Sequence, residues 1–445
     1  MPYATCLNQA KCHFLHKSEV NILKNHPLIK SLLNLRGNPR ACIFTEPLWG
    51  IPYFLFLPFV SVYMSALSLT DKQIGLVASI MFLSRAVFAF LGGAITDKMG
   101  RKNATFLMDL FAWSIPALLW TFSQNFWWFI IAAVFNGVMQ ITDNSWNCLL
   151  VEDAEKSQIV NMYSWVHISG QLAIFFAPLS GLLVNKLTLV PAMRIIYFFA
   201  FVSMSAKFIV LFKYCDETKT GMIRKSESHG MSIFNLLSGY GEIAKKILGS
   251  TEMLIALALN ALFAITTGIM TNFFGLYTTK NLMIPEYYLS IFPIIRSAIL
   301  LCFMFFLQPA VSKYGYKIPM VMGIVLYTLS HVFLLLSPAG SDISVIYAIA
   351  YTVLEACAHC LVIPRRDSIM VLFIDKRERA RIISIMTMAV FAINIPFGYL
   401  SGYLSDINRR LPFILNTALF VVTSLVIILS RNLSAKNMSH RESGS

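Results

Sequence analysis

Long apolar stretches alternate with short polar ones along this chain, near 45–69, 72–96, 103–122, 125–151, 159–186, 190–213, 252–279, 285–312, 317–337, 342–370, 380–405 and 411–430. About 20 residues at a rise of about 1.5 Å cross a hydrocarbon core of about 30 Å, so each stretch predicts one membrane-spanning helix. The expected fold class is all-α integral membrane, with twelve transmembrane helices. The longest interruption, 214–250, leaves six predicted spans on either side. Within it Ile233, Leu236, Leu237, Tyr240, Ile243, Ala244, Ile247 and Leu248 recur at helical spacing, while Lys245 and Lys246 fall off that stripe. That pattern predicts an amphipathic helix lying on the membrane surface. Ahead of span 1, Leu28, Leu32 and Leu35 share one side of a short segment that stops at Gly37-Asn38-Pro39. The expected organisation is a basic N-terminal segment (1–42), a six-helix bundle (43–213), a linker (214–250), a second six-helix bundle (251–431) and a tail (432–445).

Composition agrees with the pattern. The chain is 57% hydrophobic and 13% charged, whereas soluble domains carry about 25% charge. A formal net charge of +14 raises the question of nucleic acid, and the distribution of that charge answers it. Six basic residues (Lys72, Lys186, Arg194, Lys280, Arg409, Arg410) fall in one set of loops and three (Arg85, Lys207, Arg296) fall inside spans. All the others lie in the alternate loops or the helix ends beside them, and at the two ends of the chain. This is the positive-inside asymmetry, and it predicts cytoplasmic N- and C-termini. The charge then faces anionic lipid and cytosol, so membrane lipid is the expected partner and nucleic acid is not. No apolar signal core precedes span 1, which is expected to act as its own targeting signal. The cysteines (6, 12, 42, 148, 215, 302, 357, 360) are scattered, with none in a predicted outer loop, so a disulfide framework is not expected.

The loop between spans 2 and 3 reads Gly93-Ala94-Ile95-Thr96-Asp97-Lys98-Met99-Gly100-Arg101-Lys102. Gly92 and Gly93 allow close helix approach, and Gly100 allows a tight turn. Asp97 can cap or oppose a neighbouring helix N-terminus, and Arg101 and Lys102 can pair with Glu152 and Asp153 below span 4. A weaker echo, Ser312-Lys313-Tyr314-Gly315-Tyr316-Lys317, follows span 8, and Pro178 to Gly181 in span 5 is echoed by Pro396 to Gly398 in span 11. The loop resembles the G-x-x-x-D-[RK]-x-G-R-[RK] signature of the major facilitator superfamily, in bacterial-type twelve-span form, and the resemblance covers most of residues 43–431. It implies two pseudo-repeated six-helix bundles that rock about a central site. It also implies a conformational switch at Gly93, Asp97, Lys98, Gly100, Arg101, Lys102, Glu152 and Asp153. The echo lacks the Asp and the Arg, so switch chemistry in the second half is weaker or different.

Polar groups inside spans are expensive and mark candidate sites. Span 4 carries Asn136, Gln140, Asp143 and Asn147 on one face, flanked by Asn144 and Trp146. Four adjacent polar groups are hard to satisfy without water, which points to a cavity wall. Span 10 carries Tyr351, Glu355, His359 and Arg366 near one stripe. Glu355 and His359 stand one turn apart and can tune each other's proton affinity, so with Asp143 they are the proton-coupling candidates. Arg85 and Arg296 can grip a substrate carboxylate or phosphate, or neutralise Asp143 or Glu355. His167 and Gln171 in span 5, Asn260, Thr267 and Thr271 in span 7, and Asn394 in span 11 complete the cavity candidates. Asp109 and Lys207, on spans 3 and 6, are expected at the periphery in structural pairs or snorkelling contacts.

Two clusters look metal-like: Cys357-Ala358-His359-Cys360, and Cys6, Cys12, His13 and His16. Neither brings a four-ligand set, so no metal and no cofactor are expected beyond a coupling ion, expected to be H⁺. The chain has no G-x-x-x-x-G-K-[ST], which excludes an ATP-driven pump within it. It also has no H-E-x-x-H, G-x-S-x-G or H-x-x-x-x-D, which weighs against an enzyme. The expected function is therefore secondary active transport of a small organic solute across the plasma membrane by a monomer. A multidrug efflux antiporter, or a transporter-fold sensor or lipid-handling protein that does not cycle, is the alternative.

Overall fold

The computed structural model describes residues 27–155, 158–236, 240–372 and 379–430. The Cys6, Cys12, His13 and His16 cluster, Leu237 and the tail lie outside the described residues. Among the described residues every regular element is helical. Eleven of the described helices are long and apolar enough to cross a membrane: Gly37–Ala66, Asp71–Met99, Arg101–Thr121, Phe126–Val151, Ile159–Leu187 and Leu189–Tyr214 as spans 1–6, then Thr251–Asn281, Lys317–Leu336, Ile343–Ile369, Arg381–Ile407 and Leu411–Leu429 as spans 7 and 9–12. Span 8 is a helical run over 292–311, with a π-helical turn at Phe303–Leu307 in its middle.

Local sequence explains the ends of several elements. Span 2 opens on a capping box, with Thr70 accepting from the Gln73 N–H and Gln73 accepting from the Thr70 N–H. Gly100 closes it at φ +85°, and Gly315 closes the corresponding turn after span 8 at φ +60°. Both values lie in the left-handed region that glycine enters without a Cβ penalty, so the echo between the halves survives in backbone conformation where the charges do not. Span 1 begins at Gly37, with Pro39 in the first turn, where its missing N–H is harmless. Its first turns bury Cys42 and Ile43 with Leu35, Leu149, Leu150, Met162 and Leu211.

The two halves meet along spans 2 and 11, which cross so closely that a methyl group on Gly75 would lie 2.6 Å from the Gly398 carbonyl oxygen and the Gly402 Cα. Side chains seal the same seam: Ser79 Oγ donates to the Ile395 carbonyl (2.6 Å), and Ser384 Oγ to that of Ala89 (2.9 Å). Towards the end remote from the 2–3 loop, Gly275 of span 7 packs on Pro58 and Val62 of span 1, and Gly181 of span 5 on Tyr287 and Ser290 ahead of span 8. Asp71 there accepts from Ser405 Oγ and from Arg409. Towards the 2–3 loop, by contrast, Asp143, Asn144, Tyr163 and His167 of spans 4 and 5 are exposed.

The amphipathic linker segment forms helices at Ile233–Leu236 and Tyr240–Leu248. Its apolar face does not lie free on lipid. Ile243 and Ile247 are buried against the core of the second half, and the Tyr240 ring meets Phe90 at 5.4 Å. An additional helix, Lys219–Glu227, occupies the start of the linker.

Candidate functional site

Two sites emerge from the packing. The larger is a cavity of about 300 Å³ between the halves. The first half contributes Phe54, Leu57 and Pro58 from span 1 and Ile174 from span 5, and spans 7, 8 and 10 and Tyr327 of span 9 supply the rest. On its wall the Arg296 guanidinium donates through Nε to Glu355 Oε2 (2.8 Å) and through Nη2 to Glu355 Oε1 (3.4 Å). The same Nη2 is 2.9 Å from His359 Nδ1. A guanidinium has no acceptor to offer, so Nδ1 is the acceptor and the imidazole proton sits on Nε2. Glu355 and His359 therefore communicate through Arg296 as well as along the helix. In this arrangement Arg296 neutralises Glu355. Thr267 and Thr271 line the same cavity, as does Tyr351, whose buried hydroxyl has no hydrogen-bond partner. Ser297 Oγ donates to Gln171 Oε1 and joins spans 5 and 8 across the interface.

Other candidates separate from this cavity. Arg366 turns away to Asp367 (2.7 Å). Asn394 donates to the Val390 carbonyl one turn back, beside the crossing of spans 2, 7 and 11. Asn260 likewise bonds its own helix at Ala256. His167 is exposed and lines neither this cavity nor the chamber inside the first half.

The polar face of span 4 divides. Asn136 is buried, accepting from Arg85 Nη2 (3.2 Å) and donating to the Ala112 carbonyl (3.0 Å). Asn144 reaches back to Thr96 Oγ1 (3.4 Å). Gln140 Nε2 donates to Asp143 Oδ2 (3.2 Å), and the Asn147 amide donates to the Asp143 carbonyl. Asp143, Trp146 and Asn147 line a second chamber of about 190 Å³ that lies inside the first half. Asp109 and Lys207 are both buried in that chamber rather than snorkelling outward, and Lys207 makes the structural pairing expected of it. Lys207 Nζ is held by Glu46 at 2.8 Å. Glu46 sits at the mouth of span 1, where sequence order gives no hint that span 6 faces it.

The 2–3 loop forms a cluster of ion pairs. Arg101 is 5% exposed and pairs with Asp97 (2.8 Å) and Glu152 (3.2 Å). Two expectations are corrected. Lys102 does not reach Asp153; its ammonium lies 4.9 Å from the Phe212 ring centroid. Asp153 instead accepts the Lys219 N–H (3.3 Å), and the Thr218 hydroxyl donates to Glu152. The helix N-terminus at span 3 is capped not by Asp97 but by Glu217, which accepts from the Arg101 N–H (2.8 Å) and the Lys102 N–H (3.2 Å). Lys98 donates to the Met231 carbonyl, and the Ser228 hydroxyl to that of Asp97. Gly92 approaches the Gln140 carbonyl of span 4, whereas Gly93 has only Tyr240 Oη at ordinary distance. The linker is thus strapped over the loop by contacts that span more than 100 residues of sequence.

The family model of the Major Facilitator Superfamily matches residues 48–390. The chain belongs to that superfamily. The MdtG multidrug resistance protein of Yersinia enterocolitica is 25% identical over 226 residues, covering 49% of this chain and 53% of that protein. The PmrA multidrug resistance efflux pump of Streptococcus pneumoniae is 30% identical over 110 residues, covering 24% and 27%. The chain thus spans about half the length, or less, of these curated relatives. Among solved structures, the nucleoside transporter NupG superposes with a TM-score of 0.67 at 15% identity, over 88% of this chain and 98% of that one. A peptide transporter POT in complex with sulfate superposes at 0.65 and 14%, over 88% and 93%. The two likenesses establish the fold.

Proposed function

We propose that this protein carries a small organic solute across the plasma membrane by alternating access, coupled to protons, with the 2–3 loop and both termini in the cytoplasm. The observation that carries the reading is the Arg296–Glu355–His359 cluster on the wall of a cavity shared by the two halves. With Glu355 ionised, its carboxylate occupies the guanidinium. A proton taken up on the Glu355 carboxylate cancels that charge and frees Arg296 to bind a carboxylate or phosphate on the solute. Loss of the proton restores the pair and expels the anion. The unpartnered Tyr351 hydroxyl offers the solute a further hydrogen bond. The contacts between spans 1 and 7, 2 and 11, and 5 and 8 correspond to the form closed to the outside, and the exposed faces of spans 4 and 5 to its open cytoplasmic mouth. The protein works as a monomer among lipids, without a metal or an organic cofactor.

A second reading, efflux of amphipathic drugs by antiport, is supported by the aromatic share of the cavity wall (Phe54, Phe274, Phe292, Tyr327, Tyr351) and by the names of the curated relatives. Purified protein is screened for solutes that raise its melting temperature, and hits are followed in proteoliposomes under an imposed pH gradient. Small carboxylates or phosphates accumulating with the proton, and failing to accumulate in Glu355→Gln, support the first reading. Extrusion of bulky cations against the gradient supports the second, and gradient-independent flux in both proteins sinks the coupling.

A further inference from the structure

The chamber inside the first half has a charge and wall chemistry of its own, and it shares no lining residue with the cavity between the halves. Its charged lining residues are Glu46, Asp109, Asp143 and Lys207. Glu46 and Lys207 cancel at 2.8 Å. Asp143 faces Arg85 without reaching salt-bridge distance, since that guanidinium bonds Asn136 instead. Asp109 is 6% exposed, sits beside the Thr142 hydroxyl, and makes no ion pair among the described residues. With Arg85 set against Asp143, the chamber of about 190 Å³ holds two carboxyls, Glu46 and Asp109, to the one Lys207 ammonium that faces both.

The walls show what would balance the second carboxyl. Trp49, Trp113 and Trp146 line the chamber, and the buried Lys207 ammonium lies 5.7 Å from the Trp49 ring centroid and 5.6 Å from that of Trp146. Indole faces attract a cation through their quadrupole, most strongly where water is excluded. The chamber therefore already holds one ammonium between a carboxylate and two indoles. A bare metal ion is a poor guest, because calcium and magnesium ions demand about six oxygen ligands at fixed distance and this wall is largely indole. A cation whose charge is spread over N–CH₃ or N–H groups matches both the rings and the carboxylate. The Trp146 indole N–H is buried without a partner, which leaves a donor for an acceptor atom on the guest. Entry is past Asp143, which is exposed at the rim. We propose that this chamber, bounded by spans 1, 3, 4, 5 and 6, is a binding site for one small organic monocation of the alkylammonium class, distinct from the inter-half cavity.

The test uses the full-length protein in detergent or nanodiscs and reads equilibrium binding, so it stands apart from any transport assay. Tetramethylammonium chloride is titrated against potassium chloride at equal ionic strength while tryptophan fluorescence is followed; three of the seven tryptophans line the chamber. The expected result is a saturable change with tetramethylammonium and none with potassium. Asp109→Asn shifts half-saturation by about tenfold or more, the loss of one desolvated charge contact. Glu286→Gln, which removes a carboxylate from an exposed loop pair, leaves half-saturation unchanged. No tetramethylammonium-specific saturation in the wild type overturns the proposal, and so does unchanged half-saturation in Asp109→Asn; Asp109 is then a neutral acid with no guest. Should Asp109→Asn not fold, the wild-type melting temperature decides: it rises with tetramethylammonium over potassium if the site exists, and stays level if it does not.

Discussion

Arg409, in the short turn before span 12, holds Asp71 at the first turn of span 2 at 2.9 Å, and so ties the two halves together at the end remote from the 2–3 loop. Asp71 is 3% exposed, and it also accepts from Ser405 at 2.7 Å. Neither partner belongs to a recognisable motif. The pair is the counterpart, at the opposite end of the molecule, of the Arg101 cluster.

Asp71→Asn removes the charge from this latch while keeping its shape. Hydrogen bonds to charged groups contribute about 1.5–3 kcal/mol, so the closed arrangement at that end loses about tenfold or more in population. Spin labels at Lys186 and Met283, on a background without reactive thiols, report the separation of the two halves there by pulsed dipolar spectroscopy. A longer distance gains weight in Asp71→Asn. An unchanged distribution means that the glycine crossing of spans 2 and 11 holds the end shut without the ion pair.

Gly100 and Glu217 act as one unit. An alanine at Gly100 must adopt φ near +85°, and its methyl carbon would lie 2.3 Å from Glu217 Oε2. A backbone at φ +85° and ψ 157° is essentially reserved for glycine and costs another residue about 1–3 kcal/mol, and the carboxylate must also leave its cap. Glu217→Ala removes the same cap at about 0.5–2 kcal/mol. Each variant melts lower than the parent, and trypsin cuts the strap between Lys219 and Lys225 faster. Because both changes break one contact, the double variant is less destabilised than the sum of the singles. Additive effects would show that the linker does not rest on the loop.

Arg296 and Glu355 support each other in the same way. Glu355→Gln leaves a guanidinium without its counter-ion, and Arg296→Gln leaves a carboxylate that is 5% exposed. The Arg296 side chain is 36% exposed, which places each loss at about 1.5–3 kcal/mol rather than at the figure for a sealed pair. The double variant Arg296→Gln, Glu355→Gln melts closer to the parent than either single does, yet it shows no accumulation driven by a pH gradient. Thermal melts and proteoliposome flux on the same preparations separate stability from coupling.

Much of the fold can be read from the chain because the bilayer imposes one rule on each span separately: enough apolar length, with every backbone group bonded inside the helix. The predicted stretch 252–279 and the helix Thr251–Asn281 agree for that reason. The glycine turn of the 2–3 loop was equally legible, since Gly100 acts within one turn, whereas the Glu217 cap and the partner of Lys102 were not. The site was legible only in part. Glu355 and His359 share a stripe, but the orientation of span 8 decides that Arg296 reaches both. Span 4 showed four polar groups on one face, and only its neighbours decide that Asn136 is consumed by Arg85 while Asp143 faces a chamber. Glu46 carried no signal, because a lone acid near a predicted helix start looks like ordinary interfacial charge until Lys207 is found 2.8 Å away.

The sequence by itself determined the length and apolarity of eleven of the spans and the glycine turns at Gly100 and Gly315, because these follow from the solvent and from backbone sterics acting over one helix or one turn. Only the tertiary structure decided which charges meet: Asp71 with Arg409, Lys207 with Glu46, and Glu217 on the span 3 N-terminus. Those pairings are fixed by the rotation and crossing of helices far apart in the chain, where a buried charge takes whichever opposite partner the packing brings within about 4 Å.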